Sequence, residues 1–302
     1  MNKIFKVIWS KSKQCYIVVS EIAKNKTGKK KIVVASILAA LTMTANIVTV
    51  EGAIPEGTRT DHLGLAIGTS SNSKSNQSVA IGYASSAEAP GANPENPATA
   101  VGAGANANGA GTVALGLSAN ATGTNAVALG GGSNGGTNKT EATAANATAI
   151  GFNAKASKSG AAAIGSGAKA SGSDSISFGT DTVADSEKAI AIGAGSKATN
   201  IGATALGRSS AATAASATAV GSLASATGTT ATAVGIEASA SGAESLAIGK
   251  TASATSGRAL AVGTNAKATG ASSVAVGSGA GNSGPLGFAS SINSLGSVVN
   301  SL

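Results

Sequence analysis

The sequence predicts an all-β fold, a parallel β-roll (solenoid) of about fifteen coils, and three observations predict it. First, fifteen glycines recur in phase at 68, 82, 102, 116, 130, 151, 165, 179, 193, 207, 221, 235, 249, 263 and 277 (Gly68, Gly82, Gly102, Gly116, Gly130, Gly151, Gly165, Gly179, Gly193, Gly207, Gly221, Gly235, Gly249, Gly263, Gly277). Twelve of the fourteen intervals are 14 residues and the other two are 20 and 21, so each longer one carries a loop insertion that leaves the register intact. Second, the residue before each glycine is Ile, Val, Leu or Phe in all fifteen copies, and the residue two before it is Ala in fourteen, Ser177 being the exception. Third, the alternation around the glycine has a period of two, the period of a strand and not of a helix.

The chain of 302 residues divides into 1–52, 53–64, 65–280 and 281–302. Residues 1–52 hold nine Lys and two Glu, a net charge of +7, whereas the remaining 250 residues carry only +1 of the total +8. The basic character therefore belongs to the N-terminus, and the repeats offer no nucleic-acid-binding surface. A basic leader over residues 1–31 ends in Lys29-Lys30-Lys31 and is followed by an apolar run from Ile32 to Val50. That order is the layout of a secretory signal peptide, with cleavage after Gly52 or near Ala45; the alternative is a retained membrane anchor. Cys15 stands alone, so the chain can form no intrachain disulfide and no cysteine metal site.

After a lead that includes Pro55 and His62, the repeats begin at Leu65. Each coil has one strand ending at the glycine and a second, shorter one after it, in which Ala stands five residues past the glycine in twelve copies. Between these apolar positions lie polar residues such as Asn106, Asn120, Lys155, Lys169, Lys197, Ser225 and Lys267, so the short strand has a small apolar face and a wet one. Two strands and two tight turns close one coil, and coils stacked at about 4.8 Å pair each strand with its equivalent in the next, giving a rod of roughly 70 Å. The larger residues are placed inside, Val and Ile against Ala, so that large fills the gap opposite small. An outward Ala ladder through Ala191, Ala205, Ala219 and Ala233 then predicts association of rolls. The reverse facing, with Val and Ile at a subunit interface, predicts association still more strongly.

The insertions, one through Pro90, Pro94 and Pro97 and one from Gly130 to Glu141, read as surface loops. Past Gly277 the motif lapses. Phe288, Ile292, Leu295, Val299 and Leu302 follow at spacings of 4, 3, 4 and 3, the seam of about two coiled-coil heptads or else a disordered end.

Catalysis and metal binding find little here, and no cofactor is expected. His62 is the single His, beside Asp61 but with no nucleophile geometry, and it reads as a solvated side chain. Gly165-Ser166-Gly167-Ala168-Lys169 lacks the Lys-Ser/Thr pair of a phosphate loop and recurs as ordinary repeat turn. Eleven scattered carboxylates past residue 52 do not make the repeated sites of a calcium-binding roll. The candidates for ligand contact are Lys155, Lys169, Lys197 and Lys267, which share one outward repeat position and could attract an acidic polymer, although solvated charges that keep a β surface soluble would look the same. Thr204, Thr218 and Thr232 form a short ladder that raises an ice-binding solenoid as a remote alternative.

Two stretches resemble a known family. Met1-Asn2-Lys3-Ile4-Phe5-Lys6-Val7-Ile8-Trp9-Ser10, with Val18-Val19-Ser20-Glu21-Ile22-Ala23-Lys24, resembles the extended signal peptide region of Gram-negative autotransporters. Ser78-Val79-Ala80-Ile81-Gly82-Tyr83-Ala84-Ser85 is similar to the head-repeat motif of YadA-like trimeric autotransporter adhesins, with Gln77 where that motif usually has Asn, and Asn125 to Ser133 is a second near match. The resemblance implies a left-handed roll, a homotrimer, export to the bacterial cell surface, and a head that binds collagen, fibronectin or other bacterial cells, with Gln77, Ser78 and Ser85 added to the contact candidates. A purely structural surface rod or biofilm-matrix protein is the alternative. No neck, stalk or membrane-anchor strands are recognisable after Gly277, so the resemblance implies a truncated product or a fragment lacking its anchor.

Overall fold

Each coil takes its shape from two tight turns that share a positive-φ residue and a closing backbone bond. In the computed structural model the described residues are 5–10, 15–20, 64–89, 96–132, 138–284 and 288–290. The expected signal core and cleavage positions, His62, Pro90 and Pro94, the middle of the second insertion and the seam residues past 290 lie outside them. The chain forms two units, residues 1–49 and 50–302. In the first, β1 (Phe5–Ser10) pairs antiparallel with β2 (Cys15–Ser20), Phe5 opposite Ser20 and Ser10 opposite Cys15.

The second unit is the solenoid. Its three-residue strands, from β3 (Leu65–Ile67) to Val274–Val276 and Phe288–Ser290, stack in chain order into a 16-stranded parallel sheet, and the two- or three-residue strands between them stack into a 15-stranded one. Pairing is in register, equivalent residue to equivalent residue, as in Val113 to Val127 and Ala205 to Ala219. The register spans both insertions, pairing Val79 with Thr99 and Val127 with Thr148. Phe288–Ser290 pairs with Val274–Val276, so the sheet carries on past residue 280 although the sequence motif has lapsed. Backbone pairing needs only an extended segment, which any residue but Pro supplies.

The turns complete the ladder. Counting from each repeat glycine, the second and ninth residues have positive φ in coil after coil: Ser209 (53°), Ser216 (53°), Leu223 (59°) and Thr230 (56°) among them. In this conformation the amide points along the stack. Ser209 N–H thus donates to the Ala194 carbonyl (2.8 Å) and Ser216 N–H to that of Ile201 (2.9 Å), both one coil back. Within the turns the third residue's N–H closes on the glycine carbonyl and the tenth's on that of the seventh, as in Ser210 to Gly207 (3.2 Å) and Ala217 to Ala214 (3.2 Å). The 14-residue coil is therefore two seven-residue halves alike at these turn positions and different at the glycine, whose positive φ has no counterpart seven residues on. Asn, Asp and Gly fill many of these positive-φ positions because they tolerate that region best.

The repeat glycines solve a different problem. Gly235 has φ near +135°, and a Cβ there would overlap the carbonyl of Gly249 in the next coil. All fifteen have φ between 114° and 148°. The glycines at the opposite turn, such as Gly172 and Gly228, have no positive φ, but a Cβ on them would also run into the next coil's backbone.

The facing is the reverse of the first expectation. Ala191, Ala205, Ala219 and Ala233 do not form an outward ladder; they are fully buried, as are the Ala residues of the short strands. The third, fifth, tenth and twelfth residues after each glycine line the interior, and the largest side chains fully buried among the described residues are Thr112, Thr140 and Thr182. Val, Ile and Leu lie outside, half-buried by their neighbours above and below or more exposed, as at Leu115 and Ile248. Closure decides this: strands of three and two residues joined by tight turns bring the sheets so near each other that methyl-sized side chains fill the gap. Several interior hydroxyls bond to turn carbonyls, Thr112 to Gly109 (2.7 Å) and Ser175 to Gly172 (2.7 Å) among them.

Candidate functional site: two unlike faces

With an interior of Ala, Ser and Thr, recognition falls to the outward positions, and these differ between the sheets. The long-strand sheet shows two apolar columns. One runs through Val113, Val127, Ile190, Leu246 and Leu260, and the other through Ile150, Ile164, Ile192, Ile248 and Val262. Thr204, Thr218 and Thr232 stack in the first column as expected, but as a short stretch beside Leu206, Val220 and Val234.

The short-strand sheet is polar. Asn106 Nδ2 donates to Asn120 Oδ1 at 2.8 Å, one coil on, and the same column continues through Glu141, Lys155 and Lys169. The expected adjacency of Lys155 and Lys169 is present, since the two are paired in register. Neither is a bare cation. Lys155 Nζ lies 3.5 Å from Glu141 Oε2, whose partner oxygen Oε1 lies 3.3 Å from Lys139 Nζ, and Lys169 Nζ lies 2.9 Å from Asp185 Oδ1. Such exposed pairs are worth roughly 0–1 kcal/mol and leave little net charge. Lys197 and Lys267 are exposed in the same column with no ion-pair partner among the described residues. At the turn edge Lys188 has its ammonium pKa raised, by a hydrogen bond from its side chain to Glu187 and that group's negative charge.

Two of the contact candidates, Ser78 and Ser85, have their side chains inside the roll. Ser78 Oγ accepts from Ala98 N–H (3.0 Å) and Ser85 Oγ donates to the Gly82 carbonyl (3.0 Å), so both are scaffold. Gln77 is exposed, at a positive-φ turn position (58°). The sequence reading passed over a set of exposed apolar turn residues, Tyr83, Phe152, Ile201, Leu223 and Ile236. Their signal was there: each interrupts a turn column that, apart from Leu117, is otherwise filled by small or polar residues.

A parallel solenoid with a thin interior, one apolar face and one polar face presents its outward side chains in columns along the stack, and this defines the class. The comparisons sharpen it. The YadA head domain repeat matches residues 63–92, 97–119, 107–133, 142–168, 170–196, 198–224, 226–252 and 254–280. These spans leave gaps at the two insertions. Residues 1–48 match the extended signal peptide of the type V secretion system. The chain belongs to the YadA-head-repeat family of trimeric autotransporter adhesins. No curated protein matches it.

Proposed function

We propose that this chain is the head of a surface adhesin that assembles as a homotrimer through the apolar face and attaches the bacterium to host extracellular matrix, collagen or fibronectin, or to other bacterial cells. The segregation of the two faces carries the reading. An apolar sheet surface running the length of the stack is a liability in a lone soluble chain and an asset in an assembly. The polar sheet and the turn edges remain for ligand, and Gln77, Lys155, Lys169, Lys197 and Lys267 are the outward candidates there. The extended signal peptide supports export to the cell surface.

Sedimentation equilibrium of the purified chain and its solid-phase binding to collagen, fibronectin and whole cells test this together. A trimer that binds at least one of these is the expected result, and a stable monomer would overturn the assembly. A trimer that binds none would favour a structural rod or biofilm-matrix protein, for which the uniformity of the repeat speaks.

A further inference from the structure

The short-strand sheet changes character along the stack. Residues 138–192 carry five Lys against five Asp or Glu, whereas residues 193–284 carry five Lys or Arg against two Glu, a net charge of +3. Both of those acids, Glu237 and Glu244, sit at turns, as do Arg208, Lys250 and Arg258. The outward columns of the sheet itself therefore hold Lys197 and Lys267 as their only charges in these coils. Neither lysine has an ion-pair partner among the described residues.

Between them lies a strip of hydroxyls. The column of the two lysines runs through Ala211, Ser225, Ser239 and Ser253, each paired in register with the next. Two residues further along each coil, on the same side of the sheet, a second column carries Thr199, Thr213, Thr227, Ser241, Thr255 and Thr269. Its backbone is held in the stack as well, Thr213 N–H donating to the Ala226 carbonyl (3.0 Å) and Thr227 N–H to that of Ala240 (2.9 Å). From Thr213 to Thr269 this column is exposed. The hydroxyls of Ser225, Ser239 and Ser253 in the first column and of Thr213, Thr227 and Thr255 in the second make no hydrogen bond among the described residues.

What fits the strip follows from its size and chemistry. Six rungs at about 4.8 Å make it about 24 Å long, and two columns about 7 Å apart give it roughly 170 Å², far below the ~800 Å² per partner of a standard protein interface. No aromatic residue occurs between Phe178 and Phe288, so the strip offers no platform on which bases stack. It suits a narrow, extended polymer that carries hydroxyls along its length and negative charges at intervals. The length of one extended pyranose residue is close to one rung, so successive sugar rings meet successive rungs.

We infer that a linear acidic polysaccharide lies along this strip, its ring hydroxyls bonded to the free Ser and Thr hydroxyls and its acidic groups on Lys197 and Lys267. The flexible lysine stems take up a mismatch of about one rung between their own spacing and that of the acidic groups. No carboxylate stands on the strip to repel the polymer, in contrast to the coils of Lys155 and Lys169, where Glu141 and Asp185 neutralise the cations. One strip with two charges binds weakly, and a head that presents several strips to one long polymer gains by avidity.

The inference rests on the reading of the polar sheet as a ligand face of an adhesin, and its test separates the two. The full chain is assayed for solid-phase binding to hyaluronan, whose uronic acid recurs at every second ring. Dextran serves as a neutral polymer, and poly-L-glutamate and single-stranded DNA as acidic polymers of other kinds. Binding to hyaluronan that exceeds the other three and weakens as salt is raised is the expected result. Lys197→Ala with Lys267→Ala lowers it about ten-fold, at unchanged sedimentation mass. Thr227→Asp and Thr229→Asp make the same charge change in one coil, Thr227 on the strip and Thr229 at the turn. The first lowers binding about five-fold more than the second. Thr213→Val with Thr227→Val, which keeps charge and shape, lowers it about three-fold. No binding to hyaluronan, equal binding by the two Asp variants, or DNA or poly-L-glutamate bound as tightly as hyaluronan overturns the inference. Binding of the same chain to collagen, fibronectin or whole cells then leaves the adhesin reading standing, and a chain that binds none of these probes overturns both.

Discussion

Replacing Gly235 and Gly257 by Ala, one at a time, is the same chemical change in neighbouring coils with opposite expected outcomes. Gly235 has φ +135°, and its added methyl carbon would lie 2.7 Å from the carbonyl carbon of Gly249 and overlap the oxygen. Holding an L-residue in that backbone region costs about 1–3 kcal/mol, and forcing the next coil aside adds about 1–3 kcal/mol, so Gly235→Ala destabilises by about 2–6 kcal/mol. Gly257 is exposed, its φ is not in the positive range, and the nearest heavy atom to its added methyl is the Ala243 carbonyl oxygen at 3.8 Å. There the substitution removes freedom from the unfolded chain and stabilises by about 0.4–1 kcal/mol. Because stacked repeats open locally and not all at once, the readout is amide hydrogen exchange at the affected rung. The Gly249 amide, bonded to the Val234 carbonyl at 2.8 Å, and the Glu237 amide, bonded to Ser222 at 2.9 Å, report on it. Their protection should fall roughly thirty-fold or more in Gly235→Ala, the equivalent of about 2 kcal/mol, and hold or rise in Gly257→Ala. Equal protection in the two variants would refute the account of the repeat glycines as close-approach positions.

Three further outcomes follow from the same geometry. Ala219→Leu overfills the interior and costs about 1–3 kcal/mol, visible as a lower urea midpoint, whereas Thr218→Val one residue earlier, on the outer face, leaves the isolated coil unchanged. Thr182→Val strips the buried Ser177 hydroxyl of its acceptor and costs about 1–3 kcal/mol, while Ser177→Ala with Thr182→Val together recovers most of the loss in a double-mutant cycle. Lys197→Glu with Lys267→Glu leaves stability within about 0.5 kcal/mol and weakens solid-phase binding to an acidic matrix ligand, an effect that fades as salt is raised.

The count of fourteen residues was enough to give the strands, their parallel pairing and their register across both insertions, because in-register stacking repeats whatever the sequence repeats. What alternation could not decide was facing. A period of two separates two faces of a strand without saying which one turns inward, and the usual preference for larger apolar residues inside pointed the wrong way. The deciding signal is a ceiling on size. From Ser78 to Ala280 the tenth, twelfth, third and fifth positions carry nothing larger than Thr apart from the insertions, while the residue before the glycine ranges from Val to Phe. A position that accepts both Val234 and Phe178 has room, and room in so thin a roll lies outside. The candidate residues divide on the same line. Ser78 and Ser85 came with the motif, yet they obey the ceiling and are interior; Gln77 and the lysines do not, and Gln77, Lys169, Lys197 and Lys267 are exposed while Lys155 is half-buried.

The same ceiling explains how one scaffold can serve many surfaces. Each coil spends four positions on an interior that admits only Ala, Ser or Thr and one on a glycine that admits no side chain, and its two strands are held chiefly by backbone bonds that no outward side chain enters. Outward residues can therefore change from Asn106 to Lys169 to Ser225 along a single column without disturbing the stack. The apolar columns are constrained differently, since a charged residue there would break the face over which we propose that chains meet. On the proposed function, variation in grip is confined to the polar sheet and the turn edges, where Tyr83 and Phe152 already depart from the small residues around them. Grafting the outward residues of one such head onto another, with interior and apolar columns kept, should then move ligand preference without loss of folding; transfer of preference by the apolar columns alone would show that the division of labour argued here is wrong.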